Sequence, residues 1–233
     1  MYERLRRRFP NVVFENCAGG GGRTDLGMMK NFNHTWVSDH QIAPRSFAIT
    51  NGMTMVLPPE YVDRLCSGMS CHIRGSLDFQ LRQTLFGKPT SNSYHPFDSE
   101  QNEDMLAFIK HSYDIYKEYI RPYITEGRIY HHTPEISEPM PEGNGIIERG
   151  DVSRSRSVIG VFRLSNMPDK EDIIVYPRAI DPSGRYRVVY DNEVLAGGSG
   201  DGSIVDGYAL VNSGIRVRLA DSLTSELIII ERV

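Results

Sequence analysis

Apolar positions along the chain change their spacing about half-way, and the two spacings predict two kinds of structure. Leu5 and Phe9 lie four apart among arginines, the spacing of one helix face over residues 1–9. Pro10-Asn11 breaks that pattern, and Val12-Val13-Phe14 predicts a buried strand over 12–16. Thr35-Trp36-Val37 and Met53–Leu57 are further short apolar runs, the second stopped by Pro58-Pro59, and a fourth strand is expected near Met69–Ile73. Between them, Ala43–Asn51 predicts a short helix closed by Gly52. Ser76–Phe86 predicts another, with Leu77, Leu81 and Leu85 at four-residue spacing and Gly87 at its end. Strands alternating with helices predict a parallel sheet.

A longer helix is expected from about Ser99 to Ile124, where Tyr113, Ile115, Tyr116, Tyr119 and Ile120 read as a packing stripe rather than a ligand platform. Pro134–Gly145, dense in Pro, Glu and Gly, predicts a connecting loop. Beyond Ser157 come short β-branched runs between turn residues: Val158–Leu164, Ile173–Tyr176, Tyr186–Tyr190, Ala209–Asn212, Ile215–Leu219 and Leu227–Ile230. Asp181-Pro182-Ser183-Gly184 is a turn in its own right. These predict an antiparallel β-sandwich. The expected fold class is therefore α/β plus all-β, divided at 1–127 and 128–233. About four strand–helix units fit the first part, half of what a closed (β/α)8 TIM barrel needs.

Composition narrows the function classes. The 233 residues are 39% hydrophobic and 24% charged, as in a folded globular chain. A net charge of −4 and no basic face interleaved with aromatics argue against nucleic acid. Arg4 and Arg6-Arg7-Arg8 read as the solvated side of the first helix. No apolar run reaches the length of a membrane span, and no hydrophobic secretory segment follows Met1, so a cytoplasmic location is expected. Three cysteines make no disulfide framework. Cys66, Cys71 and His72 match no four-ligand zinc spacing, so no metal is expected.

The chemistry concentrates after the first two strands. Four glycines, Gly19 to Gly22, follow the first strand, with Cys17 and Arg23 on either side. Glycine lets a ligand or another backbone approach closely. The second strand ends in Ser38-Asp39. Polar residues at the carboxyl ends of successive parallel strands form a binding face. Asp39 reads either as a catalytic carboxyl beside Trp36 or as the N-cap of the next helix. Arg23 reads either as a fork of donors for a hydroxyl or carboxylate, or as the ion-pair partner of Asp25.

The string Cys17-Ala18-Gly19-Gly20-Gly21-Gly22-Arg23-Thr24-Asp25-Leu26-Gly27-Met28, followed by Trp36-Val37-Ser38-Asp39, resembles the active-site core of glycoside hydrolase family 36. Ala179-Ile180-Asp181-Pro182-Ser183-Gly184-Arg185-Tyr186-Arg187-Val188 and Leu210-Val211-Asn212-Ser213-Gly214-Ile215 resemble parts of the C-terminal sandwich of the same enzymes. That family contains α-galactosidases, α-N-acetylgalactosaminidases and raffinose-type galactosyltransferases, built as an N-terminal supersandwich, a (β/α)8 barrel and a C-terminal β-sandwich.

The resemblance implies that Asp39 is the general acid/base. Cys17, Gly20 and Arg23 would form a loop around the galactose 2-hydroxyl, with Trp36 also at the substrate. Cys17 would be a neutral contact, since no His or Lys in motif spacing activates it. The family's nucleophilic aspartate, in a Lys-x-Asp-type motif on an earlier strand, has no counterpart in residues 1–16. Nor have its paired sugar-binding aspartates. The chain therefore resembles the C-terminal portion of a retaining α-galactosidase, expected to be inactive by itself. Its partner would be an α-galactoside oligosaccharide, with no cofactor, and a homo-oligomer is one expectation for the full-length enzyme. Raffinose-type galactosyl transfer and a sugar- or partner-binding module without catalysis are the alternatives. Ile42 stands where the family usually carries a second acidic residue, and His40, Gln41 and Pro44 also differ, which leaves the preferred sugar open.

Overall fold

The computed structural model describes residues 1–67, 74–92, 103–165 and 172–233. The expected strand near 69–73, and Cys71 and His72, lie outside the described residues.

Helix α1 (Tyr2–Arg8) buries no residue, and its arginines face solvent except where Arg6 donates to the Lys30 carbonyl at 2.7 Å. The expected Leu5–Phe9 face is corrected: Phe9 is exposed, and Tyr2 makes the contact with Phe32 instead. Strand β1 is only Glu15–Asn16, joined to β2 (His34–Trp36) as a parallel pair. Val12 and Val13, expected inside a strand, are 50% and 62% exposed, and among the described residues β1 pairs with β2 alone. Between β1 and β2 lies one helical turn, α2 (Leu26–Met29), capped by the Asp25 carboxylate accepting from Met28 N.

Helix α3 (Arg45–Val56) runs straight through Gly52, so the expected stop at that glycine and the expected strand over Met53–Leu57 are both corrected. Packing outweighs the small helix cost of one glycine: Phe47, Ala48, Thr50, Asn51 and Thr54 are all buried. The third strand is β3 (Val62–Ser67), which the hydrophobic pattern hid because Asp63 and Arg64 interrupt it. Both charges are buried and partnered, Asp63 by His34 and Arg64 by Thr50 Oγ1 at 2.9 Å and the Ser46 carbonyl. Burial lowers the Arg64 guanidinium to about 10, against the raising effect of Asp63. Helix α4 (Leu77–Arg82) is capped by Ser76 and continues as a 3-10 turn to Phe86. Strand β4 (Lys88–Asn92) closes the sheet in the parallel order β1-β2-β3-β4. Among the described residues β4 lies at the sheet's edge, where Pro89 is tolerated.

Helix α5 (Glu103–Ile115) widens into a π-turn over Tyr116–Ile120 and then tightens into a 3-10 turn over Arg121–Tyr123. From Arg128 the chain is antiparallel: β5 (Arg128–His131), β6 (Asn144–Gly150), β7 (Arg156–Arg163), β8 (Ile173–Val175) and β9 (Arg185–Tyr190). After α6 (Asp191–Leu195) come β10 (Ser203–Asp206), α7 (Gly207–Ser213), β11 (Ile215–Val217) and β12 (Thr224–Arg232). A six-stranded sheet runs β10-β9-β12-β7-β6-β5, and β8 pairs with β11 in a second, two-stranded one.

The Ala209–Asn212 strand expectation is corrected to helix α7. The Asp206 carboxylate caps it by accepting from Tyr208 N, and Gly214 at φ +73° ends it. Strand β6 was missed for the same reason as β3, since buried Glu148 and Arg149 interrupt its apolar run. Glu148 accepts from Ser157 Oγ, His132 Nε2, Arg178 N and Ala179 N, so the charge is satisfied where it sits.

Side chains alternate across the six-stranded sheet as the pleat requires. Ile159, Val161, Ile228 and Ile230 face the β8–β11 ribbon and α7. Val158, Phe162, Leu227 and Ile229 face Phe47, Phe79, Leu85 and Phe86 from the parallel unit, with Phe162 touching three of those aromatic rings. The parallel unit therefore shares a core with the six-stranded sheet through α3, α4 and the 3-10 turn that follows α4.

Candidate active site

Two loops leave the carboxyl ends of β1 and β2, and they are stitched together below the surface. Asn16 is buried at the end of β1, and its Nδ2 donates to the Arg23 carbonyl and to Thr35 Oγ1 of β2, both at 3.0 Å. Thr24 Oγ1 meets the same Thr35 hydroxyl at 2.8 Å. The loop is thereby tied to β2 at both of its ends.

Between these ties the glycines make a tight turn, with Gly22 N donating to the Ala18 carbonyl and Thr24 N to that of Gly21. Gly20 and Gly21 have φ of +66° and +96°, a region open to glycine at little cost. Space is as restrictive as conformation. A Cβ on Gly20 would lie 2.6 Å from Asp39 N and 2.9 Å from Asp39 Cγ, and one on Gly21 would strike the Val37 carbonyl. The loop is thus pressed against Val37–Asp39.

Asp39 is exposed in this chain. Its Oδ1 accepts from Trp36 Nε1 at 2.8 Å, and Trp36 is half-buried. The N-cap reading of Asp39 is overturned, because α3 begins at Arg45 with Pro44 in the cap position. Arg23 does not take up the Asp25 alternative either. Asp25 caps α2, while Arg23 Nη2 donates to the Cys17 carbonyl at 3.0 Å and braces its own loop. Cys17 is an exposed free thiol. His40 N donates to Ser38 Oγ, and its ring is held below its ordinary range by burial, then by the charges of Arg45 and Arg64. The structure therefore brings Gly20, Trp36 and Asp39 together at one point, with Cys17 and Arg23 bracing the loop alongside.

At the opposite, amino-terminal ends of the same strands sits a cluster the sequence reading missed. His34 Nε2 lies 3.0 Å from Glu15 Oε2 and 3.3 Å from Asp63 Oδ2, while Lys88 Nζ is 2.7 Å from His34 Nδ1. One imidazole and two carboxylates are donors a metal ion can use. Here Lys88 donates to Nδ1, which leaves the His34 proton on Nε2, facing the carboxylates where an ion would sit. The cluster is thus a charged hydrogen-bond chain across all four strands. Its sequence signal was a polar residue within the first two positions of each strand. Cys66, from the discarded zinc reading, is a buried cysteine on β3. Among the described residues no helix is long and apolar enough to cross a membrane.

Comparisons with known proteins bear on both parts. The melibiase family matches residues 1–119, and the glycosyl hydrolase family 36 C-terminal domain matches residues 151–230. Alpha-galactosidase C of Emericella nidulans is 25% identical over 100% of this chain and 29% of its own length. An alpha-galactosidase of Escherichia coli is 29% identical over 98% of this chain and 33% of its own length. The family 36 alpha-galactosidase AgaA of Geobacillus stearothermophilus, solved in complex with raffinose, superposes with a TM-score of 0.80. It is 20% identical and is matched over 100% of this chain and 30% of its own. The chain thus spans about a third or less of each relative, and with a parallel half-sheet, an antiparallel C-terminal domain and both family matches in register along it, it belongs to the melibiases of glycosyl hydrolase family 36.

Proposed function

We propose that this chain contributes the acid/base side of a retaining α-galactosidase site, with Asp39 as the proton donor and acceptor. The observation that supports it is the seat of Asp39: a carboxyl at the end of a parallel strand, held by the Trp36 indole and walled by the glycine loop. Retaining cleavage of a glycosidic bond uses two carboxyl groups about 5–5.5 Å apart. One attacks the anomeric carbon, and the other protonates the leaving oxygen and later deprotonates water. In this reading the attacking carboxylate belongs to polypeptide corresponding to the part of the relatives outside the match. That same polypeptide would shield Asp39 from solvent, as a general acid working near neutral pH requires. Cys17, Gly20 and Arg23 would border the sugar, and the substrate class would be an α-galactoside of the raffinose type, the ligand carried by the AgaA structure. Acid/base and nucleophilic carboxylates suffice for this acetal cleavage, so the reading calls for no cofactor. The division of labour at 1–127 and 128–233 would give catalysis to the parallel unit and support to the sandwich.

The test is hydrolysis of an aryl α-galactoside. The chain alone should give no turnover, and mixing it with the remaining portion of a family 36 enzyme should restore turnover that Asp39→Asn abolishes. Rapid turnover by the isolated chain, or full activity of the complemented Asp39→Asn variant, would overturn the proposal.

A further inference from the structure

The two oxygens of Asp39 have different surroundings. Oδ1 accepts the Trp36 indole N–H at 2.8 Å. Oδ2 faces the glycine loop, where a Cβ on Gly20 would stand 3.0 Å from it. A carboxyl oxygen already accepting a hydrogen bond is the poorer place for a proton, because the proton would compete for the lone pair that the donor uses. Rotation of the carboxyl, which would exchange the two oxygens, breaks the indole bond.

We propose that Trp36 is a positioning residue that reserves Oδ2 of Asp39 for proton transfer. This rests on the reading of Asp39 as the acid/base. In the donating step the Oδ2–H bond breaks as a bond from that proton to the glycosidic oxygen forms. The oxygen keeps the electron pair of its broken bond to the anomeric carbon, which the nucleophilic carboxylate takes. The negative charge left on Asp39 spreads onto Oδ1, where the indole bond becomes charge-assisted and strengthens. Trp36 therefore stabilises charge that develops during the step, without touching the sugar. In the second half of the reaction Oδ2 takes the proton from water.

Trp36 is the single tryptophan of the chain, so its indole N–H gives one resonance in a nitrogen-correlated NMR spectrum of the intact protein. That resonance should move in one step as Asp39 ionises, and the step should vanish in Asp39→Asn. Other titrating groups stand near. Asp63 is the register partner of Trp36 on β3, His40 follows Asp39, and His34 and Glu15 lie on the neighbouring strand positions. Any steps they cause would survive in Asp39→Asn. An indole resonance that ignores pH between about 3 and 8, or one whose every step survives in Asp39→Asn, overturns the proposal.

In the complemented enzyme, Trp36→Phe should lower kcat on the order of ten- to a hundred-fold with KM little changed. The alkaline limb of its pH profile should move upward, since a donor that favours the ionised carboxyl is gone. A Trp36→Phe variant that raises KM alone assigns the indole to substrate contact and also overturns the proposal. A step that vanishes in Asp39→Asn, together with full activity of that variant, would leave the contact standing and sink the acid/base reading instead.

Discussion

Arg82 reaches out of α4 into the C-terminal domain, where its Nη2 meets Asp191 Oδ2 at 2.5 Å with both side chains buried. Its Nη1 also donates to the Ser225 carbonyl at 2.9 Å, and Asp78, one turn back on α4, accepts from Ser225 N and Oγ. On the other side, His111 Nε2 of α5 lies 2.6 Å from Asp191 Oδ1. Burial pushes the Asp191 carboxyl up, but the bond from His111 and the charge of Arg82 outweigh it and hold it below its ordinary range. One guanidinium therefore joins α4 to α6 and β12.

Removing that guanidinium leaves Oδ2 of a buried carboxylate without its charged partner, while His111 keeps Oδ1. Arg82→Ala should destabilise the protein by about 3–5 kcal/mol, the scale for breaking a buried pair from one side. Arg82→Lys should recover only part of this, because an ammonium cannot serve Asp191 and Ser225 in the same plane. Denaturant unfolding measures both. A loss below about 1 kcal/mol for Arg82→Ala, the scale of an exposed pair, would mean the link carries little of the stability.

Glu226 lies beside this link and sets a pH dependence. It is 6% exposed, and burial raises its carboxyl from 4.5 to about 7, against the lowering effects of Asn192 N, Arg82 and Leu227 N. A folded-state value above the unfolded one means that the folded protein holds the proton more tightly. The associated stability is fully present below 4.5 and is lost as pH rises through about 7, by up to roughly 3 kcal/mol. His111, raised chiefly by its bond to Asp191, acts with the same sign. Its share is present below 6.5 and is lost as pH climbs through its raised value. Asp151 and Asp191, held low, act in the opposite sense and lose their contribution only as pH falls below their ordinary 3.8. His40 and His131, held low chiefly by burial, act against this and return stability as pH rises toward 6.5, so the fall in thermal melts from about pH 5 to about pH 8 is the Glu226 and His111 loss less that gain. Glu226→Gln, which keeps an oxygen for both backbone donors, should flatten much of that fall. An equally steep profile in Glu226→Gln would remove Glu226 as its source.

The same kind of buried charge explains where sequence reading succeeded and where it stopped. Strands with uninterrupted apolar runs, such as β7 and β12, and the alternating β9, were legible from the apolar pattern alone. Strands β3 and β6 were not, because Asp63-Arg64 and Glu148-Arg149 look like loop until their partners are known, and those partners come from elsewhere in the chain. Helix α7 looks like a strand in sequence because Ala209-Leu210-Val211 is a short apolar run bounded by turn residues. The readable signal was the Asp206 cap ahead and Gly214 behind. At the site, the glycine string and Asp39 stood out as a motif. The hydrogen bond from Trp36 did not, since three residues leaving a strand end have no fixed geometry. The Glu15–His34–Asp63–Lys88 chain was invisible for a related reason: it needs the parallel register of four strands before the residues become neighbours.

Gly19 and Gly20 separate conformation from contact at the site. Both have left-handed backbones, φ +53° and +66°, so alanine at either position carries the same kind of strain, about 1–2 kcal/mol. A Cβ on Gly19 would meet nothing within 4 Å, whereas one on Gly20 would press on Asp39 N and Cγ. The 2.6 Å approach to Asp39 N is to backbone, which cannot swing aside as a long side chain would. Gly20→Ala must therefore push the loop and the Ser38-Asp39 segment apart, and Asp39 is what the Trp36 indole holds. With a single tryptophan in the chain, its fluorescence reads that displacement directly. Gly19→Ala should cost stability and leave the emission maximum where it was. Gly20→Ala should shift the maximum as well, and in a complemented enzyme should lower turnover well beyond any effect of Gly19→Ala. Indistinguishable emission from the two variants would mean that the loop yields without disturbing Asp39, and that its glycines serve the turn rather than the carboxyl.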